Sequence, residues 1–402
     1  MRVKKLKKFF PYSRQSIDKK DIKQVTDVLK SDFITQGPRI SEFEKSFAKY
    51  VNAKYAVSCA TGTAALHLAC MALGLTKGHN LVTSPITFVA SANCAQYLGA
   101  KTIFVDIENK SNCICPIRLE KLLKTKKIHT VVVVHMAGHS ADMKKIYSLK
   151  KKYKFNLIED ACHALGGSIY KKKVGSCSFS DISTFSFHPV KPITTGEGGM
   201  ITTNNKRIYE KLLLLRTHGI TKERKKFKNK KLAFDKKGNQ NLWYYEMLEL
   251  GYNFRITDLQ ASLGQSQLKK LDSFIKTRKS IAKIYDQKFI SNPLIKIPVV
   301  AANVSHAYHL YTILINFKAI NKSRNEIMEK LRKCNIGSQV LYIPVNFQTY
   351  YRKKYNFKEK DFPRSLEYYK SCLSIPIFVG MKKKDAIFIA DRINQIVKID
   401  NE

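Results

Sequence analysis

The chain has 402 residues, enough at about 150 residues per domain for two or three domains with a substantial core. Hydrophobic residues make up 44% and charged residues 26%, which excludes a disordered, collagen-like or low-complexity chain. The net charge of +41 suits an anionic partner, but the surplus is mostly Lys and is scattered along the whole chain. That pattern fits a solvated basic surface better than an Arg-lined groove, so a nucleic-acid partner is not expected.

The nine cysteines include no C-x-x-C pair, and Cys113 and Cys115 are too close for a metal hairpin. Neither a disulfide framework nor a metal site is expected. The basic opening MRVKKLKKFF runs straight into PYSRQSIDKKD with no apolar signal core. The longest apolar runs, Val131 to Val134 and Leu212 to Leu215, are far too short to span a bilayer. The expectation is a cytoplasmic protein with no membrane partner.

In chain order, SIDKKDIKQVTDVLKS carries apolar residues at helical spacing with Asp18 as cap, and Gly37-Pro38 breaks the pattern before a second helix in SEFEKSFAKYV. Short β-rich runs then alternate with helical stretches. KYAVSC precedes GTAALHLACMAL, NLVTSPIT precedes FVASANCAQYL, and KTIFVDI, HTVVVVHMA, FNLIEDA, DISTFSFHPVK and GMITTN follow. Such alternation predicts an α/β fold with a mostly parallel sheet covered on both faces. Thr221 to Asn241 reads as an exposed Lys-rich loop, and ITDLQASLGQSQLKKLDSFIKTRKSIAKIYDQKF as one long helical pattern leading away. Beyond Asn292, HLYTILINF, SRNEIMEKLRKCN, SQVLYIPV and a last helix from Lys382 predict a smaller α+β unit. The expected division is an N-terminal arm over 1–24, a large domain over 25–265 and a small C-terminal domain over 266–402.

Parallel α/β sheets bind ligands beyond the carboxyl ends of their strands, and four such ends carry candidates. Ala60-Thr61-Gly62-Thr63, at a strand-to-helix turn, offers backbone N–H groups and a hydroxyl for a phosphate, although a plain helix cap explains it equally. Asp160 ends the apolar run FNLIED, where a buried carboxylate needs a partner; a structural salt bridge is the ordinary explanation. Lys191, in SFHPVKPITTGEGG, presents an amine to a turn of small residues, where desolvation lowers its pKa, although most lysines in this chain are solvated. Phe88 offers a stacking face, as many core aromatics do. Together they meet the four demands of pyridoxal 5′-phosphate: a phosphate seat, a carboxylate for the ring nitrogen, a lysine for the aldehyde and a flat face for the ring.

The stretches TGTAALHLA, SPITFVASAN, EDACHALGG, SFHPVKPITTGEGG and GYNFRITDLQASLG resemble the DegT/DnrJ/EryC1/StrS family of sugar-nucleotide aminotransferases, of the aspartate-aminotransferase-like fold. The likeness runs from PYSRQSID to the SIPIF stretch. It implies that Lys191 forms the Schiff base and shuttles the proton, that Asp160 partners the ring nitrogen, and that His163 lies near the ring's phenolic oxygen. It further implies that Gly62, Thr63 and Ser186 cradle the phosphate, that Phe88 stacks on the ring, and that Asn253 reaches the phosphate of a neighbouring subunit in a homodimer with shared active sites. Relatives with His at the Schiff-base position are dehydratases, and Lys191 points away from that branch. Arg255 is a candidate for the donor carboxylate or a UDP diphosphate, and equally for a structural ion pair; His188 and His309 are candidate sugar contacts.

Within the family, PYSRQSID, VHMAGHSADM, NLWYYEMLELGYNFRITD and SQVLYIPV most resemble the enzymes of pseudaminic acid synthesis. This implies amination of C4 of UDP-2-acetamido-2,6-dideoxy-β-L-arabino-hex-4-ulose with L-glutamate as donor. The alternatives are another 4-keto or 3-keto nucleotide sugar as acceptor, or a basic nucleic-acid-binding protein on the same scaffold.

Overall fold

The computed structural model describes residues 8–399. The first seven residues of the expected N-terminal arm, with most of the basic opening, lie outside the described residues. The central sheet has seven strands, β1 (Tyr55–Cys59), β2 (Asn80–Thr83), β3 (Lys101–Phe104), β4 (Thr130–Val134), β5 (Asn156–Asp160), β6 (Ile182–Ser186) and β7 (Gly199–Thr203). Their spatial order is β1-β7-β6-β5-β4-β2-β3. From β6 to β3 every pairing is parallel, and β7 alone runs against both its neighbours. The fold is thus mixed α/β with a large, mostly parallel sheet.

Strand β4 shows why this sheet lies in the middle of the molecule. Its sequence TVVVV is buried along its whole length, as a strand covered on both faces must be. Because side chains alternate, Val131 and Val133 pack with Val82, Ile146 and Leu157, while Val132 packs on the opposite face with Leu66, Ile158 and Ile201. Each such valine removed from water contributes about 1.5–3 kcal/mol.

The helices are positioned by local caps and a few long-range carboxylates. Helix α1 (Lys19–Leu29) begins at Asp18, which forms a capping box with Asp21. Helix α2 (Pro38–Val51) is capped from far along the chain: the N–H groups of Gly37 and Arg39 donate to the buried Asp258 carboxylate at 2.7 and 2.9 Å. Helix α3 (Gly62–Ala72) starts at Thr61, whose hydroxyl accepts from the Ala64 N–H. Helix α4 (Ala90–Gln96) follows β2.

Three segments differ from the sequence reading. The single long helix expected after Ile256 is two, Asp258–Leu268 and Leu271–Phe289. At the break, Lys270 Nζ turns to the fully buried Asp21 and to Asp18, at 2.5 and 2.9 Å, and Ser266 and Gln267 also donate to Asp21. The basic loop 221–241 contains a short helix, Lys230–Ala233, and its Lys run hides a small core of Phe227, Ala233 and Tyr244 with Phe234 against it. SQVLYIPV joins the small sheet only through Gln339 opposite Ser374, because Val345 N–H is drawn to the Pro85 carbonyl beyond the end of β2. The small sheet itself comprises β8 (Ile295–Lys296), β9 (Tyr311–Ile315) and β10 (Cys372–Ile375), all antiparallel.

Arg278, in the Leu271–Phe289 helix, joins the two regions. It is almost wholly buried, and its Nη1 donates to the carbonyls of Tyr308, His309 and Ile377 at 3.2, 3.1 and 2.8 Å. Burial pushes its pKa down to about 10. Arg278→Met keeps much of the volume but strands three carbonyls, and a loss of about 3 kcal/mol of unfolding free energy is expected from a urea titration.

Candidate active site

The carboxyl ends of β1, β2, β5 and β6 open into one cavity of about 480 Å³. Gly62 and Thr63 reach it from the β1–α3 turn, Thr87 and Phe88 from the segment before α4, and Asp160, Cys162 and His163 from the end of β5. Ser186, His188 and Lys191 reach it from the end of β6 and the loop beyond. Eight of the residues singled out from the sequence therefore meet in one place.

Asp160 is buried and has no ion pair among the described residues. Ser91 Oγ donates to its Oδ2 at 2.6 Å, and the Cys162 N–H donates to Oδ1 at 3.2 Å. Because the one Ser91 proton faces Asp160, the Thr87 hydroxyl 2.7 Å away donates to Ser91 in turn. The structural salt bridge that would have explained it is not formed among the described residues, and a carboxylate held by neutral donors is left to face the cavity. Lys191 is half-buried and its amine makes no hydrogen bond or ion pair among the described residues. Burial holds its pKa below the ordinary lysine value, against the opposing pull of Cys162 and Asp160.

At the opposite end of the requirement, the N–H groups of Gly62 and Thr63, in the first turn of an eleven-residue helix, have no partner among the described residues. A Cβ on Gly62 would stand 2.6 Å from Ser186 Cβ and close this cradle. Gly199 keeps the same corner open from beneath, since a Cβ there would meet the Thr61 carbonyl oxygen at 2.3 Å. Free N–H groups, a helix N-terminus and the Ser186 hydroxyl suit a phosphate. Phe88 is 56% exposed, so its ring is free for stacking rather than consumed by the core.

His163 is buried; its Nε2 lies 3.1 Å from the Tyr342 hydroxyl, its Nδ1 has no partner, and its ring centroid is 4.5 Å from that of His309. Burial, with Lys191 nearby, holds its pKa well below the ordinary histidine value, so it is neutral. His309 sits behind His163 and does not line the cavity. Asn253 and Arg255 lie elsewhere. Asn253 is exposed and bridges Thr217 through its backbone, and Arg255 borders a separate cavity with Glu44 and Arg216 without pairing with either.

The sequence reading missed Ser91, Thr87, Tyr12 and Tyr342. Ser91, in the first turn of α4, is buried behind the cavity lining and acts only through its bond to Asp160, and no local signal marks Tyr342, which is 179 residues from His163.

A lone amine, a carboxylate without a cation among the described residues and an open phosphate cradle suit a phosphorylated carbonyl cofactor with a basic ring. The chain belongs to the DegT/DnrJ/EryC1/StrS aminotransferase family, which it matches over residues 15–394. It is 40% identical over 389 residues to the UDP-4-amino-4,6-dideoxy-N-acetyl-beta-L-altrosamine transaminase of Campylobacter jejuni, covering 96% of this chain and 97% of the relative. Among solved structures it is similar to Helicobacter pylori PseC, an aminotransferase involved in pseudoaminic acid biosynthesis, with a TM-score of 0.88 and 31% identity over 97% of this chain and 99% of that one. It is also similar to the sugar aminotransferase Spr1654 of Streptococcus pneumoniae in its PLP form, with a TM-score of 0.87 and 26% identity over 97% and 99% of the two chains.

The charge balance around Lys191 has a measurable sign. Burial lowers its pKa and the Asp160 carboxylate raises it, so Asp160→Asn lowers it further. In protein freed of carbonyl ligands, the pH profile for labelling Lys191 with an amine-selective acylating reagent, read by peptide mass spectrometry, is expected to have its midpoint below that of exposed lysines. In Asp160→Asn the midpoint moves lower still.

Proposed function

We propose that the protein is a pyridoxal-phosphate-dependent aminotransferase that moves the amino group of L-glutamate to C4 of UDP-2-acetamido-2,6-dideoxy-β-L-arabino-hex-4-ulose. The product is UDP-4-amino-4,6-dideoxy-N-acetyl-β-L-altrosamine. The observation that carries the reading is the unpartnered Lys191 amine sharing one cavity with Asp160, whose carboxylate has only neutral donors. The named relative and the PLP-form neighbour support the choice of acceptor and cofactor.

Pyridoxal phosphate, when bound, supplies an aldehyde for the amine and a cationic ring that draws electrons from the carbon losing its proton. Lys191 Nζ would hold it through that aldehyde, the Gly62 and Thr63 N–H groups and Ser186 Oγ would hold its phosphate, and Phe88 would offer a face to its ring. Asp160, fixed by Ser91 and Thr87, would keep a proton on the ring nitrogen, and His163 would serve the ring oxygen. Lys191 Nζ would take the proton from the glutamate Cα. In the second half-reaction the same nitrogen delivers a proton to C4 of the sugar, which sets the configuration there. A lowered pKa suits a group that must act as base and then as acid.

The donor carboxylates need cations, and no arginine lines the cavity of the single chain. We place the exposed Asn253 and Arg255, which has no ion pair among the described residues, in the site of a second copy, Asn253 on the phosphate and Arg255 on a carboxylate or the diphosphate. The enzyme then works as a homodimer with shared sites. His188, at the cavity, is assigned to the sugar, and His309 supports His163 from behind.

Incubation with L-glutamate and the UDP-4-keto sugar is expected to give the 4-amino sugar nucleotide by mass spectrometry, faster than with other 4-keto or 3-keto UDP- or dTDP-sugars. Preference for another acceptor in that panel would replace the substrate, and no amination of any sugar would remove the reading.

A further inference from the structure

Once the cofactor residues are set aside, the cavity retains a group from outside the large sheet, namely Tyr12, Leu341 and Tyr342 with Val190. Tyr12 belongs to a short N-terminal segment tied down on two sides. Phe10 exchanges hydrogen bonds with Asn335 and Gly337, each at 2.8 Å, and the Ile377 N–H donates to the Tyr12 carbonyl at 3.1 Å. On the other side, the buried Ser13 donates its hydroxyl to the carbonyl of Val190, at 2.9 Å, one residue before Lys191. The segment thus straps the small sheet's surroundings to the Lys191 loop, and the position of Tyr12 is fixed from both ends.

The Tyr12 hydroxyl makes no hydrogen bond among the described residues, whereas the Tyr12 carbonyl accepts from Ile377 and the Ser13 hydroxyl donates to Val190. Its ring packs beside the core under the central sheet, and burial raises its pKa, so it stays a neutral donor and acceptor. Tyr342, its neighbour in the cavity, has already committed its hydroxyl to His163, and its ring lies 6.0 Å from that of Phe88. Near Tyr12, then, are aromatic faces and one free hydroxyl. An amino-acid donor with two carboxylates gains little from such a surface, because it wants guanidinium or ammonium groups. A pyranose ring with C–H faces, hydroxyls and an acetamido group matches it, through packing on the aromatics and a hydrogen bond to the hydroxyl.

Resting on the aminotransferase reading above, we propose that Tyr12 is a specificity residue for the acceptor. Its hydroxyl hydrogen-bonds the 4-keto sugar nucleotide and takes no part in the amine-donor half-reaction. The strap through Ser13 makes this contact precise with respect to Lys191, the group that must deliver a proton to C4.

Tyr12→Phe removes one oxygen and keeps the packing, so it tests the hydroxyl without disturbing the fold. In the cofactor-loaded enzyme, stopped-flow absorbance separates the phase driven by L-glutamate from the phase driven by the UDP-4-keto sugar. The expected result is a sugar phase slowed about tenfold at subsaturating sugar, the effect of one neutral hydrogen bond, with the glutamate phase changed less than about twofold. Equal slowing of both phases, or no slowing of the sugar phase, overturns the proposal while leaving the aminotransferase reading intact. An unaltered enzyme that shows no glutamate phase overturns both.

Discussion

A carboxylate without a cation, set in the same cavity as an amine without an anion, is the constraint on which the rest of this structure depends. Asp160 stands at the buried end of a central strand, where an ionised group is costly unless something answers its charge. The fold gives it a serine hydroxyl and a backbone amide, which orient it but do not neutralise it. Lys191 is likewise kept partly out of water with no partner among the described residues. Under the proposed function, both deficits would be met by one ligand that carries a protonated ring and an aldehyde.

Much of the surrounding architecture serves to hold those two groups and the phosphate seat in register. The parallel run from β6 to β3 brings the ends of β6, β5 and β2 to one edge beside the end of β1, and the reversed strand β7 returns the chain so close to the Thr61 carbonyl that only glycine fits at Gly199. Glu159, the residue before Asp160, points to the other face of the sheet, where His135, Ser180 and Ser183 hold it. That second buried carboxylate anchors the strand from beneath. Asp258 caps α2 and Arg278 gathers three carbonyls, so the elements behind the cavity are fixed by polar contacts spaced far apart in the chain.

The features legible in the sequence are those written in short segments. The alternation of apolar runs with helical stretches specified the sheet; Asp160 ends a strand as read, whereas Gly62, Phe88 and Lys191 lie in the segments that follow strand ends. The break at Lys270 was hidden because both halves continue a helical pattern, and it is the distant Asp18 and Asp21 that draw the lysine aside. Tyr12, Ser91 and Tyr342 carry no motif of their own. Their role comes from tertiary pairing, with Val190, Asp160 and His163 respectively in contact with Ser13, Ser91 and Tyr342. The aromatic residues under the basic 221–241 loop were masked by the lysines around them.

The most direct measurement of the central claim is the visible absorption of the purified protein with pyridoxal phosphate, before and after L-glutamate, beside Lys191→Ala. The account predicts a yellow band that bleaches with glutamate and never forms in the variant. A protein that stays colourless, or a variant that gains and loses the same band as the unaltered chain, would contradict the assignment of Lys191 and with it the reading of the cavity.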